Sequence, residues 1–346
     1  MESSDRYNLI VVGLGCAGLS VAHYFSTQME GAKILGLEKN SISGDLGTSS
    51  LGHSRLFNYT PGFPLRNEMY EDSKKMWKEI EEKTQTEILH YTTLLYLGRP
   101  DWRLIKDAKK EIPEEEFLSP EKISEMYPAF ENIPEDYTGF HIEDAGIIKS
   151  KVALQVYTDM CQEQDIELKY NTTVTKISKN EVQTEDGAIY NADHVVVATG
   201  PFTGEHFEHE DEEFVSMEQE FYEFGDKEGL PTMFQEDSEF GSMLGCLDNE
   251  DLLQYKVSRH GDINRTDAEA WIRHRIPSKA EDILKNSQIF QARWCFRKGK
   301  HFVYETKNGV HYTYGFRGNG FFYMPLHGKV VFDTLLKKGP LKYALI

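Results

Sequence analysis

The N-terminal segment YNLIVVGLGCAGLSVAHYF restricts the possible folds of this chain more than any other feature. Its apolar run Leu9–Val12 predicts a buried parallel strand, and the apolar spacing after GLGCAG predicts a helix. In this GxGxxG motif, Gly13 permits a tight turn, Gly15 lets the backbone approach a pyrophosphate, and Gly18 lets the helix pack against the strand. The segment therefore predicts the start of a nucleotide-binding α/β fold.

A second apolar strand, in AKILGLEKN, ends at Glu38, 20 residues beyond Gly18. An acidic residue here can accept hydrogen bonds from ribose hydroxyl groups, and its charge would repel a second phosphate on that ribose. The helix that begins near Cys16 and Ala17 offers backbone N–H groups to phosphates. We therefore expect an unphosphorylated adenosine ribose, as in NAD or FAD, with Lys39 beside it.

The next segment, SGDLGTSSLGHSRLFNY (43–59), favours FAD over NAD. Its glycine, serine and threonine residues can wrap a second phosphate or a ring edge, which makes Ser54 and Arg55 candidates for cofactor contact. An NAD-binding domain would continue at once with further strand–helix units. This chain instead enters a polar segment that predicts an amphipathic helix over 66–84, with its apolar residues along one face.

Composition limits the class of protein. A length of 346 residues suggests two domains or one large discontinuous domain, and a net charge of −19 argues against nucleic acid as a partner. No apolar segment approaches the roughly 20 residues that span a bilayer, and the polar N-terminus does not resemble a signal peptide. The cysteines are widely spaced, which argues against disulfides or a metal site and for a cytoplasmic location: Cys16, Cys161, Cys246 and Cys295.

The order of motifs resembles the D-amino acid oxidase superfamily of flavoproteins, and within it the sarcosine, N-methyltryptophan and pipecolate oxidase branch. The resemblance lies in GxGxxG, the strand that ends in an acid, GTSSLGHSR, ADHVVVATGPF with Gly200, and GFRGNGFFY. It implies further FAD contacts by the backbone of Val174, which matches an adenine-contacting position. It also implies contacts by Gly318, Asn319, Gly320 and Phe321.

The fold that this resemblance implies is α/β (α+β). A discontinuous Rossmann-like FAD-binding domain, in pieces 1–80, 143–205 and 295–346, would hold an inserted substrate domain. That substrate domain, 81–142 and 206–294, would be a mostly antiparallel sheet plus helices. Segments YTTLLYLG and DLLQYKVSRHG are predicted to supply two of its strands.

Cys295, in QARWCFRKGKH, has two interpretations. The resemblance puts it where a cysteine bonds covalently to the flavin 8α carbon. A thiolate is the nucleophile in such a reaction, and Arg293, Arg297 and Lys298 are expected to lower its pKa. The alternative is an ordinary buried thiol beside Trp294.

The resemblance also implies catalytic roles for Lys256, His260 and Arg55. Lys256 would lie above the flavin, where a fixed positive charge stabilises the anion formed when O2 is reduced. The alternatives are a strand lysine that faces solvent and a histidine that only packs. Arg55 matches an arginine near the flavin.

Asn58 and Phe322 depart from the family pattern. They stand where relatives have an arginine and a lysine that bind the substrate carboxylate, and an arginine–carboxylate pair is a strong, directional contact. The substrate therefore either lacks a carboxylate or binds it through another group, such as Arg317 or Tyr323. The aromatic replacement indicates a more apolar or flat substrate.

Two functions stay open from the sequence. The first is an FAD-dependent oxidase of a secondary or cyclic amine or amino acid, which forms an imine and reduces O2 to H2O2. The second is a flavin-dependent dehydrogenase with another electron acceptor, or a flavin-binding protein with little turnover. The expected partners are a small amine and O2, without nucleic acid or membrane, in a monomer or small homo-oligomer.

Overall fold

A computed structural model describes residues 6–45, 47–206, 214–248, 251–259, 265–298 and 302–336. Two short 3-10 segments lie at Glu114–Glu116 and Gly200–His206. The other helices and strands follow in this order: β1 (Tyr7–Val12), α1 (Cys16–Gln28), β2 (Ile34–Leu37), β3 (Ser54–Asn58), α2 (Pro64–Thr84), β4 (Leu89–Gly98), α3 (Arg103–Ala108), α4 (Pro120–Met126), β5 (Thr138–Lys149), α5 (Ser150–Glu163), β6 (Glu167–Lys169), β7 (Val174–Ile177), β8 (Glu181–Thr184), β9 (Ile189–Val197), β10 (Phe214–Phe224), β11 (Met233–Ser238), β12 (Gly241–Asp248), β13 (Gln254–Arg259), α6 (Arg265–Arg275), α7 (Ala280–Asn286), β14 (Gln288–Arg297), β15 (Val303–Lys307), β16 (Val310–Tyr314) and α8 (Met324–Leu335).

The first sheet contains the predicted nucleotide-binding unit. Its main path is β15-β16-β9-β1-β2-β6, and the β7–β8 hairpin pairs with β9. β1 lies parallel to both β2 and β9, and all four residues of β2 are buried. The predicted strand, glycine turn, helix and acid-ended strand are therefore confirmed.

The second sheet is mostly antiparallel, as predicted. Its order is β14-β10-β13-β12-β11-β4-β5-β3, and the β11–β4 pair is parallel. Both predicted substrate-domain strands are present, as β4 and β13. β3 lies in the predicted cofactor piece 1–80 but is hydrogen-bonded into this second sheet. The exact domain boundaries stay a prediction.

Helices pack against the first sheet, and buried side chains of the sheet and the helices form one hydrophobic core. α1 packs against α8 and α5, and α2 packs against α8. The predicted amphipathic helix is confirmed as α2, with Met69 and Trp77 fully buried on its apolar face. Proline at its first position starts this helix two residues earlier than predicted, because proline fixes a helical φ. In the described part of the chain, no helix could cross a membrane.

Candidate active site

A cavity of about 550 Å3 is lined by residues of both sheets. Volumes of roughly 300–1,000 Å3 are typical of small-molecule sites. His260 lies outside the described residues, and neither Gly18 nor Tyr323 lines the cavity. The remaining predicted site residues all line it: Gly13, Gly15, Cys16, Ala17, Glu38, Lys39, Ser54, Arg55, Asn58, Val174, Gly200, Lys256, Cys295, Arg317, Gly318, Asn319, Gly320, Phe321 and Phe322.

The glycine turn leaves one side open to the cavity. Gly13 has a φ of 91°, and a Cβ there would lie 2.7 Å from the Ala198 carbonyl oxygen. A Cβ on Gly18 would lie 1.8 Å from the Gly13 carbonyl oxygen, so Gly18 serves packing of α1. A Cβ on Gly15 would meet only Ser50 within 4 Å, with Oγ at 3.0 Å. Gly15 is thus the position where an added side chain would occupy ligand space.

Glu38 is fixed at the end of β2. Its Oε2 accepts a hydrogen bond from the Leu14 N–H at 2.8 Å, and its Oε1 accepts one from the Asn40 N–H at 3.0 Å. Burial raises the pKa of Glu38, and these N–H donors act in the opposite direction. A carboxylate oxygen can accept more than one hydrogen bond, so Glu38 can still accept from a ribose.

Arg55 holds the loop that borders the cavity. Its Nη1 donates to the Ser54 carbonyl oxygen at 2.7 Å. Its Nη2 donates to the carbonyl oxygens of Ser49, at 3.0 Å, and Leu51. The guanidinium also lies 5.2 Å from the centre of the Phe321 ring. Arg55 therefore joins the serine-rich loop to the C-terminal loop.

Lys256 belongs to a buried polar cluster that joins distant parts of the second sheet. Its Nζ donates to the Ser54 carbonyl oxygen at 2.6 Å and lies 3.2 Å from Asp248 Oδ1. Ser54 Oγ donates to the same carboxylate oxygen at 2.5 Å. Lys256 is 2% exposed, so the alternative of a lysine that faces solvent is wrong.

Asp248 was not identified from the sequence. Burial raises the pKa of this carboxyl, but Lys256 and Ser54 outweigh that effect and hold the pKa below its usual value. Within LDNED, an acidic residue resembles any solvated loop residue, so no local signal distinguishes it. The positive charge of Lys256 is therefore compensated by the Asp248 carboxylate.

The prediction that nearby cations lower the pKa of Cys295 is wrong. Cys295 is 4% exposed, and burial raises the pKa of its thiol to about 12. Arg293 instead pairs with Glu218 at 2.7 Å, and Arg297 pairs with Glu305 at 3.0 Å. These arginines are neutralised by carboxylates, so their charge does not outweigh the cost of ionising a buried thiol.

Asn58 and aromatic rings mark a second end of the cavity. The Asn58 Nδ2 donates to the Tyr96 hydroxyl at 2.9 Å and to the Tyr59 carbonyl oxygen at 2.8 Å. Phe322 lines this end together with further aromatic residues: Phe63, Tyr96 and Trp102. Tyr323, by contrast, is 1% exposed within the helical core, so it is not available to a ligand there.

Arg66 is a lining residue that the sequence analysis missed. It lies in the first turn of α2, and its Nη2 donates to Asn319 Oδ1 at 3.2 Å. Its Nε is buried, and no hydrogen-bond partner for it is found among the described residues. The available signal was a cation two residues after a helix-starting proline, where the helix dipole disfavours positive charge.

The site fits FAD. Gly13 and Gly15 leave room for a pyrophosphate, Glu38 is fixed beside them, and α1 directs its N-terminus at the same space. The cavity continues from there to Arg55 and Lys256. A bound dinucleotide could thus extend from the glycine turn towards the buried lysine.

Comparison with known proteins agrees with this arrangement. Residues 8–334 match the family described as FAD dependent oxidoreductase. The chain is 25% identical to monomeric sarcosine oxidase of Streptomyces avermitilis, over 96% of this chain and 94% of that protein. It is 24% identical to N-methyl-L-tryptophan oxidase of Yersinia pestis, over 58% of this chain and 55% of that protein.

A solved structure shows the same fold. NikD, described as an unusual amino acid oxidase essential for nikkomycin biosynthesis, has a TM-score of 0.81 to this chain at 17% identity. The match covers 97% of this chain and 95% of NikD. The likeness therefore extends over both sheets.

Proposed function

Because the chain belongs to the family of FAD dependent oxidoreductases, we propose that it oxidises a secondary or cyclic amine or amino acid at a C–N bond. The observation that supports this most is one cavity that joins a dinucleotide cradle, a buried lysine and an aromatic-lined end. When bound, FAD supplies hydride acceptance and electron transfer to O2. The protein binds and orients the amine and excludes water.

Lys256 is the residue that we propose for the oxygen reaction. An ammonium group has three N–H donors, and two of those of Lys256 are used by Ser54 and Asp248. The third is available to the cavity that Lys256 lines. A fixed positive charge in a dry site stabilises negative charge that develops on O2.

We also propose that Cys295 would hold FAD covalently, because this thiol lines the cavity. The C–S bond would replace one C–H bond of the flavin 8α carbon, and O2 would accept the two electrons released. Only its thiolate is nucleophilic, and its pKa is raised to about 12. Attachment to apoprotein mixed with FAD should therefore be slow at neutral pH and accelerate about tenfold per pH unit below that pKa. Acid precipitation and intact mass measure the fraction that keeps flavin.

Cys295→Ala is the control for this prediction. It should bind FAD through the glycine turn but release all flavin on denaturation. Complete release of flavin from the wild-type protein after long incubation at alkaline pH would contradict covalent attachment and leave noncovalent binding intact.

The aromatic-lined end predicts substrate preference. An amine with a flat or aromatic body can cover Phe63, Tyr96, Trp102 and Phe322, at about 25 cal/mol per Å2 of apolar area buried. Sarcosine has little such area, so we expect it to be a poor substrate. Anaerobic mixing with a panel of secondary and cyclic amines, followed by flavin bleaching, measures this. Rapid bleaching by sarcosine at low concentration would contradict the preference, and no bleaching by any amine would contradict amine oxidation.

A second candidate function is a dehydrogenase that passes electrons to another acceptor. The observation that favours it is Asp248, which compensates the charge of Lys256 at 3.2 Å. Reoxidation of the reduced protein by a dye but not by O2 would support this alternative. The predictions of a cytoplasmic location and of a monomer or small homo-oligomer accompany either function.

A further inference from the structure

We propose that Arg66 binds a carboxylate group of the substrate, so that the substrate is an amino acid rather than a simple amine. This inference rests on the proposed function and narrows its substrate class. Relatives have a carboxylate-binding arginine and lysine at the positions of Asn58 and Phe322. Arg66, on α2, would bind the carboxylate in their place. It is a specificity-determining residue, since it would contact the part of the substrate that does not react.

The position of Arg66 supports this role. It lines the same cavity as Asn58, Tyr96 and Phe322. Its guanidinium lies 5.3 Å from the ring centre of Phe63, which belongs to the aromatic-lined end.

The unused bonding capacity of Arg66 points to an anion. Its Nη2 donates to Asn319 at 3.2 Å. Among the residues that the structure describes, its buried Nε has no hydrogen-bond partner and no carboxylate forms an ion pair with the guanidinium. A guanidinium has five N–H donors, and the hydrogen bond to Asn319 uses one of them, so Arg66, which lines the cavity, keeps donors for a ligand acceptor. The N-terminus of α2 adds a partial positive charge at the same place.

Arg317 is the competing candidate, because its Nε is also buried without a partner in the described part of the structure. Its guanidinium, however, lies 4.9 Å from the ring centre of Phe296 on β14. Arg66 instead lies against Phe63, at the aromatic-lined end of the cavity. A carboxylate there would meet both a guanidinium fork and a helix N-terminus.

Benzoate and the uncharged benzamide provide a test with the flavin-loaded protein. Isothermal calorimetry should show benzoate binding to the wild type, and Arg66→Met should weaken it by at least about tenfold, or about 1.4 kcal/mol. Benzamide affinity should be unchanged by the substitution. Arg66→Lys should give an intermediate benzoate affinity, since it keeps the charge but loses the planar fork; it also serves if Arg66→Met fails to retain flavin.

Arg103→Met is the matched control. Arg103 also lines the cavity and lies 4.5 Å from the ring centre of Phe63, but its side chain is largely exposed and already pairs with Asp107 at 3.4 Å. Its substitution should leave benzoate affinity unchanged. The proposal would be overturned if the wild type did not bind benzoate, or if the wild type and Arg66→Met bound it equally well. If only Arg317→Met lost benzoate affinity, the carboxylate would be assigned to Arg317 instead. Benzoate binding through Arg66 without flavin bleaching by any amine would instead refute the proposed function only.

Discussion

Replacement of Gly15 by valine should abolish FAD binding while the protein still folds. Gly15 has φ −73° and ψ −168°, an extended conformation that valine adopts readily. Its Cβ would meet only the Ser50 side chain, which can move. The rest of the valine side chain would enter the space that a pyrophosphate needs. We expect flavin content below about a tenth of the wild-type level, which corresponds to at least about 1.4 kcal/mol of binding free energy.

Gly225→Val is the matched control for this substitution. Gly225 is exposed, has no other residue within 4 Å of an added Cβ, and does not line the cavity. Both variants should show the wild-type far-ultraviolet circular dichroism spectrum, and only Gly15→Val should lose its yellow colour. A Gly15→Val protein that folds with full flavin content would contradict the proposed position of the cofactor.

Lys256→Met should slow reoxidation by O2 more than reduction by substrate. Loss of the ammonium removes the fixed charge, and a tenfold slower rate corresponds to about 1.4 kcal/mol. We expect a larger effect than this, measured by stopped-flow mixing of reduced enzyme with O2. Lys256→Met also leaves the Asp248 carboxylate buried without its partner, which should cost about 3–5 kcal/mol in free energy of unfolding.

The double variant Lys256→Met with Asp248→Asn separates these two effects. It removes both charges, so most of the stability should return while reoxidation stays slow. Asp248→Asn alone keeps the cation and should reoxidise at least as fast as the wild type. Equal loss in both half-reactions of the double variant would mean that Lys256 is a structural residue.

The nucleotide-binding unit could be predicted because its signals are local. Gly13, Gly15, Gly18 and Glu38 lie within one short stretch, and each has a conformational or charge requirement that few other residues meet. The second sheet was predicted from the family resemblance, and it is mostly antiparallel, as predicted. The same locality explains why the predicted start of α2 was only two residues late.

Features that depend on distant contacts could not be predicted. Lys256 and Ser54 are 202 residues apart, and Arg293 and Glu218 are 75 residues apart. Without the register of β14 on β10, the arginines near Cys295 looked free to lower its pKa. Arg66 was missed for a similar reason. Its proposed role depends on the lack of an ion-pair partner among the described residues, which only the folded structure shows.

The contact between Lys256 and Ser54 also has a consequence for association between chains. β3 is the last strand of the second sheet, and an edge strand exposes carbonyl and N–H groups that can pair with a strand of another molecule. Here the Ser54 carbonyl oxygen already accepts hydrogen bonds from Lys256 and Arg55, and Ser54 is completely buried. Two cations thus occupy part of the edge where a foreign strand would otherwise add. The residue that we propose for oxygen chemistry therefore also satisfies a backbone acceptor that an added strand would need.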